Sequence, residues 1–157
     1  MSESSSGPDV LAGLYGGRSV KILEKAIQER DGQFEADFSS FRICSRFQRI
    51  FSASHQRGVG FEAFFRAVDK HGSLINSRQI FSRANTAEDL LQLDRMRLLL
   101  HVKNFAAAGI EDRWLFVNIH SKVMLGRQEP DVSYLKEVLD HTGVPPHQVV
   151  VALREHQ

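Results

Sequence analysis

Between Val59 and Arg66 the chain reads V-G-F-E-A-F-F-R. On an extended strand Val59, Phe61, Ala63 and Phe65 share one face, and Glu62 and Arg66 share the other. A carboxylate buried in so apolar a strand is costly without a partner, so Glu62 either faces water or serves a site that needs its charge. Residues 41–51 alternate in the same way, with Phe41, Ile43, Phe47 and Phe51 opposite Arg42, Arg46 and Gln48, and predict a second strand. The stretch S-A-S-H-Q-R-G, 52–58, turns one strand into the other, so the two are predicted to pair antiparallel. Upstream, the Ser- and Gly-rich residues 1–18 predict a flexible tail. From Ser19 as N-cap, Val20, Leu23 and Ile27 share a helical face flanked by Ile22 and Ala26, and Gly32 is the predicted stop.

After residue 72 the rhythm changes. Residues 76–109 predict helix in two pieces, with Thr86 capping the second. W-L-F-V-N-I-H-S, 114–121, is a short apolar strand, and residues 131–143 predict a helix ended by Gly143. H-Q-V-V-V-A-L, 147–153, is a near-continuous β-branched run of the kind found in parallel strands covered on both faces. Strand–helix–strand–helix–strand predicts right-handed crossovers in an α/β layer or barrel of about four strands. A complete eight-stranded barrel takes about 250 residues, so the pattern corresponds to half of one. An open sheet edge and a bare apolar face predict self-association, as a homodimer or with a protein partner.

A length of 157 residues allows one domain with a single core. The net charge of +1 predicts no bulk binding to DNA, RNA or a membrane surface, so an anionic ligand must be held by local arginines. Cys44 is the only cysteine, which excludes an internal disulfide, and no run of about 18 apolar residues predicts a spanning helix. With no signal-peptide pattern at the start, a cytoplasmic location is predicted.

Glu62 and Arg66 admit two readings: a structural ion pair, or a metal-binding carboxylate beside a phosphate-binding guanidinium. Asn118, with apolar neighbours on both sides, also admits two: a buried amide bonded to backbone, or an oxygen ligand near a strand's C-terminal end. The seven histidines are scattered without metal-ligand spacing and read as surface or core-edge residues. The basic residues of L-D-R-M-R-L-L-L-H-V-K, 93–103, read as a solvated helix face.

The run F-Q-R-I-F-S-A-S-H-Q-R-G-V-G-F-E-A-F-F-R-A resembles the opening of an EAL domain, the bacterial cyclic di-GMP phosphodiesterase family. The blocks G-S-L-I-N-S-R-Q-I-F-S-R-A, L-L-Q-L-D-R, W-L-F-V-N-I-H-S and G-V-P-P-H-Q-V-V-V-A-L-R-E follow in that family's order, so the resemblance covers roughly residues 38–157. It implies a TIM-like (β/α) barrel whose first strand is antiparallel to the rest; with the helix that periodicity predicts from Ser19, residues 19–157 are expected to form an N-terminal helix plus the barrel's first half. It also implies that Glu62 and Asn118 are metal ligands for Mg²⁺ or Mn²⁺, that Arg66 contacts phosphate, and that Gln48 faces the site.

The departures are specific. Where the family's fourth strand has glutamate, two residues and glutamate, this chain has Ala152-Leu153-Arg154-Glu155: the first position, a metal ligand in the family, is alanine, and Glu155 is kept in a supporting role. Phe64 replaces a signature leucine, Arg49 and Ser77 replace prolines, and Asn85 replaces a common glutamate. A methyl group cannot coordinate a cation. The expectation is a pseudoenzyme that binds cyclic di-GMP or a protein partner without cleavage. The alternatives are an active phosphodiesterase completed by further sequence or a second chain, and an interaction module with no nucleotide role.

Overall fold

The computed structural model describes residues 19–120 and 132–154. The predicted tail at 1–18 and Glu155 lie outside the described residues.

The N-terminal segment departs from the predicted helix. Helix α1 is only Ser19–Glu24, and strands β1, Ile27–Arg30, and β2, Gln33–Phe38, follow as a hairpin. The two-residue turn is Asp31-Gly32, with φ of 51° and 76°. Positive φ at both turn positions matches the right-handed twist of paired strands, which is why Asp-Gly favours a hairpin over a helix stop. A second two-residue turn, with Ser39 at φ 54°, leads into β3, Phe41–Ser52.

Strand β3 pairs antiparallel with β4, Arg57–Asp69, through a long ladder bulged at Ile50/Phe51. A two-residue strand β5, Leu74–Ile75, folds back on β4. Helices α2, Ser77–Arg83, and α3, Ala87–Ala107, carry the chain across to β6, Trp114–His120, which pairs parallel with β4. Helix α4, Ser133–Thr142, precedes β7, Val149–Arg154, parallel to β6. The sheet order is β1-β2-β3-β4-β6-β7, with β5 on β4. The α/β class and the antiparallel first barrel strand therefore hold. The strand count is seven and not about four, because three short strands joined through tight turns add to the predicted β3, β4, β6 and β7.

Local signals place the helices. Asn76 and Gln79 exchange side-chain and backbone hydrogen bonds at the start of α2, and Thr86 and Asp89 do the same at α3. Each box satisfies two otherwise unpaired N–H groups. Gly143, in the left-handed region at φ 76°, closes α4 by donating to the Leu139 carbonyl. Among the described residues no helix is long and apolar enough to cross a membrane.

Helix α3 covers one face of the sheet. Leu98, Leu99, Val102 and Phe105 pack on Ala63, Leu115 and Val117, while Leu93, Met96 and Leu100 pack on Ala36, Ile43 and Ala67. Asn104 fastens β2 to this helix: its Nδ2 donates to the Phe34 carbonyl at 2.9 Å, and its Oδ1 accepts from the Phe34 N–H at 2.8 Å. On β7, Val149 and Val151 join the core but Val150 and Leu153 are exposed. Burial on both faces, predicted for this strand, is thus not met among the described residues.

Close approach of β4 to β6 requires Gly60. A Cβ there would lie 2.4 Å from the Trp114 carbonyl oxygen, whereas one at Gly58 would meet nothing nearer than 4.0 Å. Gly60→Ala is expected to lower the unfolding free energy by about 1–3 kcal/mol, by forcing the two strands apart. Gly58→Ala should leave it within about 0.5 kcal/mol. Chemical denaturation of the two variants checks this, and equal midpoints would refute it.

Candidate functional site

Two strand positions 56 residues apart in sequence meet on the sheet face away from α3: Asn118 Nδ2 donates to Glu62 Oε1 at 2.9 Å. Register explains the meeting. Glu62 is opposite Phe116 in the β4–β6 ladder, and Asn118, two residues on, shares the face of Phe116. Gln48 is opposite Glu62 on β3, and Ala152 is opposite Asn118 on β7. The face therefore presents Gln48, Glu62, Asn118 and Ala152 across four adjacent strands. Glu62 and Asn118 are half-buried, and Gln48 is exposed.

Arg66 shares this face but lies four residues further along β4, about 13 Å from Glu62 along the strand, opposite Cys44. Its side chain is exposed. The structure thus brings Gln48, Glu62, Asn118 and Ala152 together and sets Arg66 at the edge of the group.

The donor set limits what cation fits. The hydrogen bond to Glu62 uses the Asn118 amide nitrogen, so the amide oxygen is the atom a cation would take. Among the described residues there is no group of three or more His, Cys, Asp or Glu able to hold a metal ion. Beside Asn118 on the neighbouring strand stands the Ala152 methyl, which offers no oxygen. One Mg²⁺ or Mn²⁺ carried mostly by water fits this pair, whereas two cations would need further oxygens besides those of the described residues.

Behind the sheet the structure overturns the reading of residues 93–103 as a solvated face. Asp94, Arg95, Arg97 and His101 are buried. Arg97 Nη2 donates both to Asp94 Oδ1 and to the main-chain carbonyl of Asn118. The Arg95 guanidinium lies 4.7 Å from the Tyr134 ring centroid, and the Tyr134 hydroxyl donates to the Arg95 carbonyl at 3.2 Å. His101, 0% exposed, has Nδ1 2.8 Å from Ser45 Oγ. These side chains gave no sequence signal, because charged residues on an amphipathic helix ordinarily mark the wet face. Cys44, on the polar side of its strand by alternation, is buried, and desolvation pushes its thiol above the ordinary range.

A cavity of about 290 Å³ lined by Arg57, Asp112, Arg113, Trp114 and His147 opens at the starts of β4 and β6. It lies at the strand end away from Arg66 and is separate from the Glu62–Asn118 pair.

The sequence profile of the EAL domain matches residues 31–157. Comparison with curated protein sequences finds no match. Among solved structures, the chain resembles the Bacillus subtilis YkuI protein, which has an EAL domain and was determined in complex with substrate c-di-GMP and calcium. The TM-score is 0.58 at 23% identity, over 73% of this chain and 29% of that one. It also resembles the FimX EAL domain from Pseudomonas aeruginosa bound to c-di-GMP, with TM-score 0.55 and 23% identity over 92% of this chain and 50% of that one. Klebsiella pneumoniae BlrP1 in a manganese/cy-diGMP complex gives TM-score 0.55 and 18% identity, over 92% and 37%. The chain thus spans half or less of the length of these structures.

The buried imidazole generates a pH dependence. Desolvation, and secondarily the nearby Arg97 charge, hold His101 neutral well below its ordinary titration near 6.5. The unfolded chain takes up this proton as pH falls through 6.5 and the folded chain does not, so stability present above pH 6.5 is lost below it. The expected slope from this residue is up to about 1.4 kcal/mol per pH unit. His101→Gln should flatten it between pH 6.5 and 4.5, above the ordinary titration of Glu24. Urea unfolding across that window checks this; an unchanged slope would refute it.

Proposed function

Since the chain belongs to the EAL domain family through residues 31–157, we propose that it binds cyclic di-GMP without hydrolysing it. The observation that carries this reading is the Glu62–Asn118 contact with Ala152 beside it. A carboxylate and an amide oxygen, the two ligands implied by the family likeness, sit together on one face, while the neighbouring strand offers a methyl. In this reading Glu62 and the Asn118 amide oxygen would hold a water-rich Mg²⁺ or Mn²⁺, which would supply positive charge toward a phosphate. Arg66 grips a phosphate oxygen from the edge of the face, and Gln48 contributes hydrogen bonds. The EAL structures determined with c-di-GMP and with calcium or manganese support the ligand and ion classes. Hydrolysis requires a water activated between two ions about 3.5–4 Å apart, which this donor set does not supply.

Calorimetry with cyclic di-GMP and Mn²⁺ is expected to show binding, and chromatography of the same mixture is expected to show intact dinucleotide. Glu62→Ala and Asn118→Ala should each weaken binding by about tenfold or more, roughly 1.4 kcal/mol. Ala152→Glu should tighten Mn²⁺ binding by restoring a carboxylate. Accumulation of linear pGpG would establish the rival reading, an active phosphodiesterase. Absence of heat at any concentration would favour a protein-interaction module.

A second observation concerns assembly. Trp114 and Val150 lie on the same sheet face as Glu62 and are exposed by 49% and 37%. Covering them with a second copy of the chain removes apolar area from water, at roughly 25 cal/mol per Å². Light scattering is expected to show a dimer, reduced by Trp114→Ser. A monodisperse monomer at all concentrations would refute the assembly.

A further inference from the structure

We infer that Arg97, oriented by Asp94, is a positioning residue: from the core side of the sheet it fixes the main chain of Asn118, so that the Asn118 amide meets Glu62. The inference rests on the reading of Glu62 and Asn118 as the ligand site.

Three observations carry it. The β4–β6 ladder ends at Glu62↔Phe116, while β6–β7 pairing continues to His120↔Arg154. Past Phe116 the strand that carries Asn118 is therefore supported by a ladder on one side only. Arg97 Nη2 reaches it from the covering helix, bonded to the Asn118 carbonyl. Second, the arrangement is buried: Asp94 is 4% exposed and Arg97 6%. A buried ion pair gains little over apolar packing of the same volume but imposes geometry, since breaking it leaves an uncompensated charge. Third, Arg97 Nε has no hydrogen-bond partner among the described residues. The guanidinium is thus aimed at one carboxylate and one carbonyl, not at satisfying all its donors. The order of contacts runs Asp94, Arg97, Asn118 main chain, Asn118 amide, Glu62.

The consequence is that a change in the core alters the site without touching ligand. The test follows the Asn118 side-chain amide by NMR, its signals assigned through Asn118→Ala, together with calorimetry of cyclic di-GMP and Mn²⁺. Arg97→Met is expected to move those amide signals and weaken binding by about tenfold. Arg97→Lys should recover part of both effects, because the ammonium keeps the charge but not the fixed planar fork of the guanidinium. Asp94→Asn should shift the amide in the same direction as Arg97→Met. Arg95→Met, in the same helix but packed on Tyr134, serves as the control that loses stability and leaves the Asn118 signals in place. Should Arg97→Met fail to fold, the Lys and Asn variants decide. Wild-type amide signals in the folded Arg97 and Asp94 variants would overturn the inference. If the wild type binds neither Mn²⁺ nor dinucleotide, the ligand reading fails, and the NMR comparison still judges the positioning role by itself.

Discussion

The hydrogen bond from the Asn118 amide to the Glu62 carboxylate joins two parallel strands at the point where their main-chain ladder stops. Side chains alternate along a strand, so a slip of one residue in either strand would carry one partner to the opposite face. The contact therefore depends on register, and the register is held by a close approach two residues earlier. At Gly60 the absent Cβ lets the Trp114 carbonyl come within a distance no side chain allows. Gln48 and Ala152 take their places in the same row because β3 and β7 are paired to β4 and β6 in turn.

The covering helix supplies more than apolar area. Helix α3 buries Asp94, Arg95, Arg97 and His101 among its leucines. Asn104, near its end, completes both backbone hydrogen bonds of Phe34 on β2. Buried polar groups lose hydration on folding and regain it only through specific partners. They consequently select one placement of the helix where leucines alone would accept several. That selection connects the N-terminal hairpin, the helix and the strand carrying Asn118 into one arrangement.

The chemistry of the face follows from its composition. A carboxylate beside an amide oxygen, with an arginine further along the strand, suits a phosphate held through a hydrated cation. Cleavage makes a stricter demand, since two cations need several more anionic oxygens at fixed separations. At the position beside Asn118 the chain carries a methyl, which adds no oxygen to the carboxylate and the amide.

Much of this was legible in linear order. Alternation marked β3, β4, β6 and β7, the Thr86 cap located the start of α3, and Gly143 marked the end of α4. Glu62 and Asn118 stood out because a polar group among apolar strand neighbours needs a partner. The hairpin at 27–38 was misread because Val20, Leu23 and Ile27 fit a helical stripe, whereas the positive φ values at Asp31-Gly32 favour paired strands. The burial of Arg97 and His101 gave no sequence signal, since a charged helical residue looks the same whether it meets water or a partner across the core. Sequence thus set where most of the strands and helices lie and marked Glu62 and Asn118 as polar groups in apolar strands, as these follow from local sterics and periodicity. That Glu62 and Asn118 touch, that Ala152 lies beside them, and that Arg97 grips the strand from behind were decided by strand order and helix placement. Those contacts join residues far apart along the chain, and only the packed core brings them within hydrogen-bond reach.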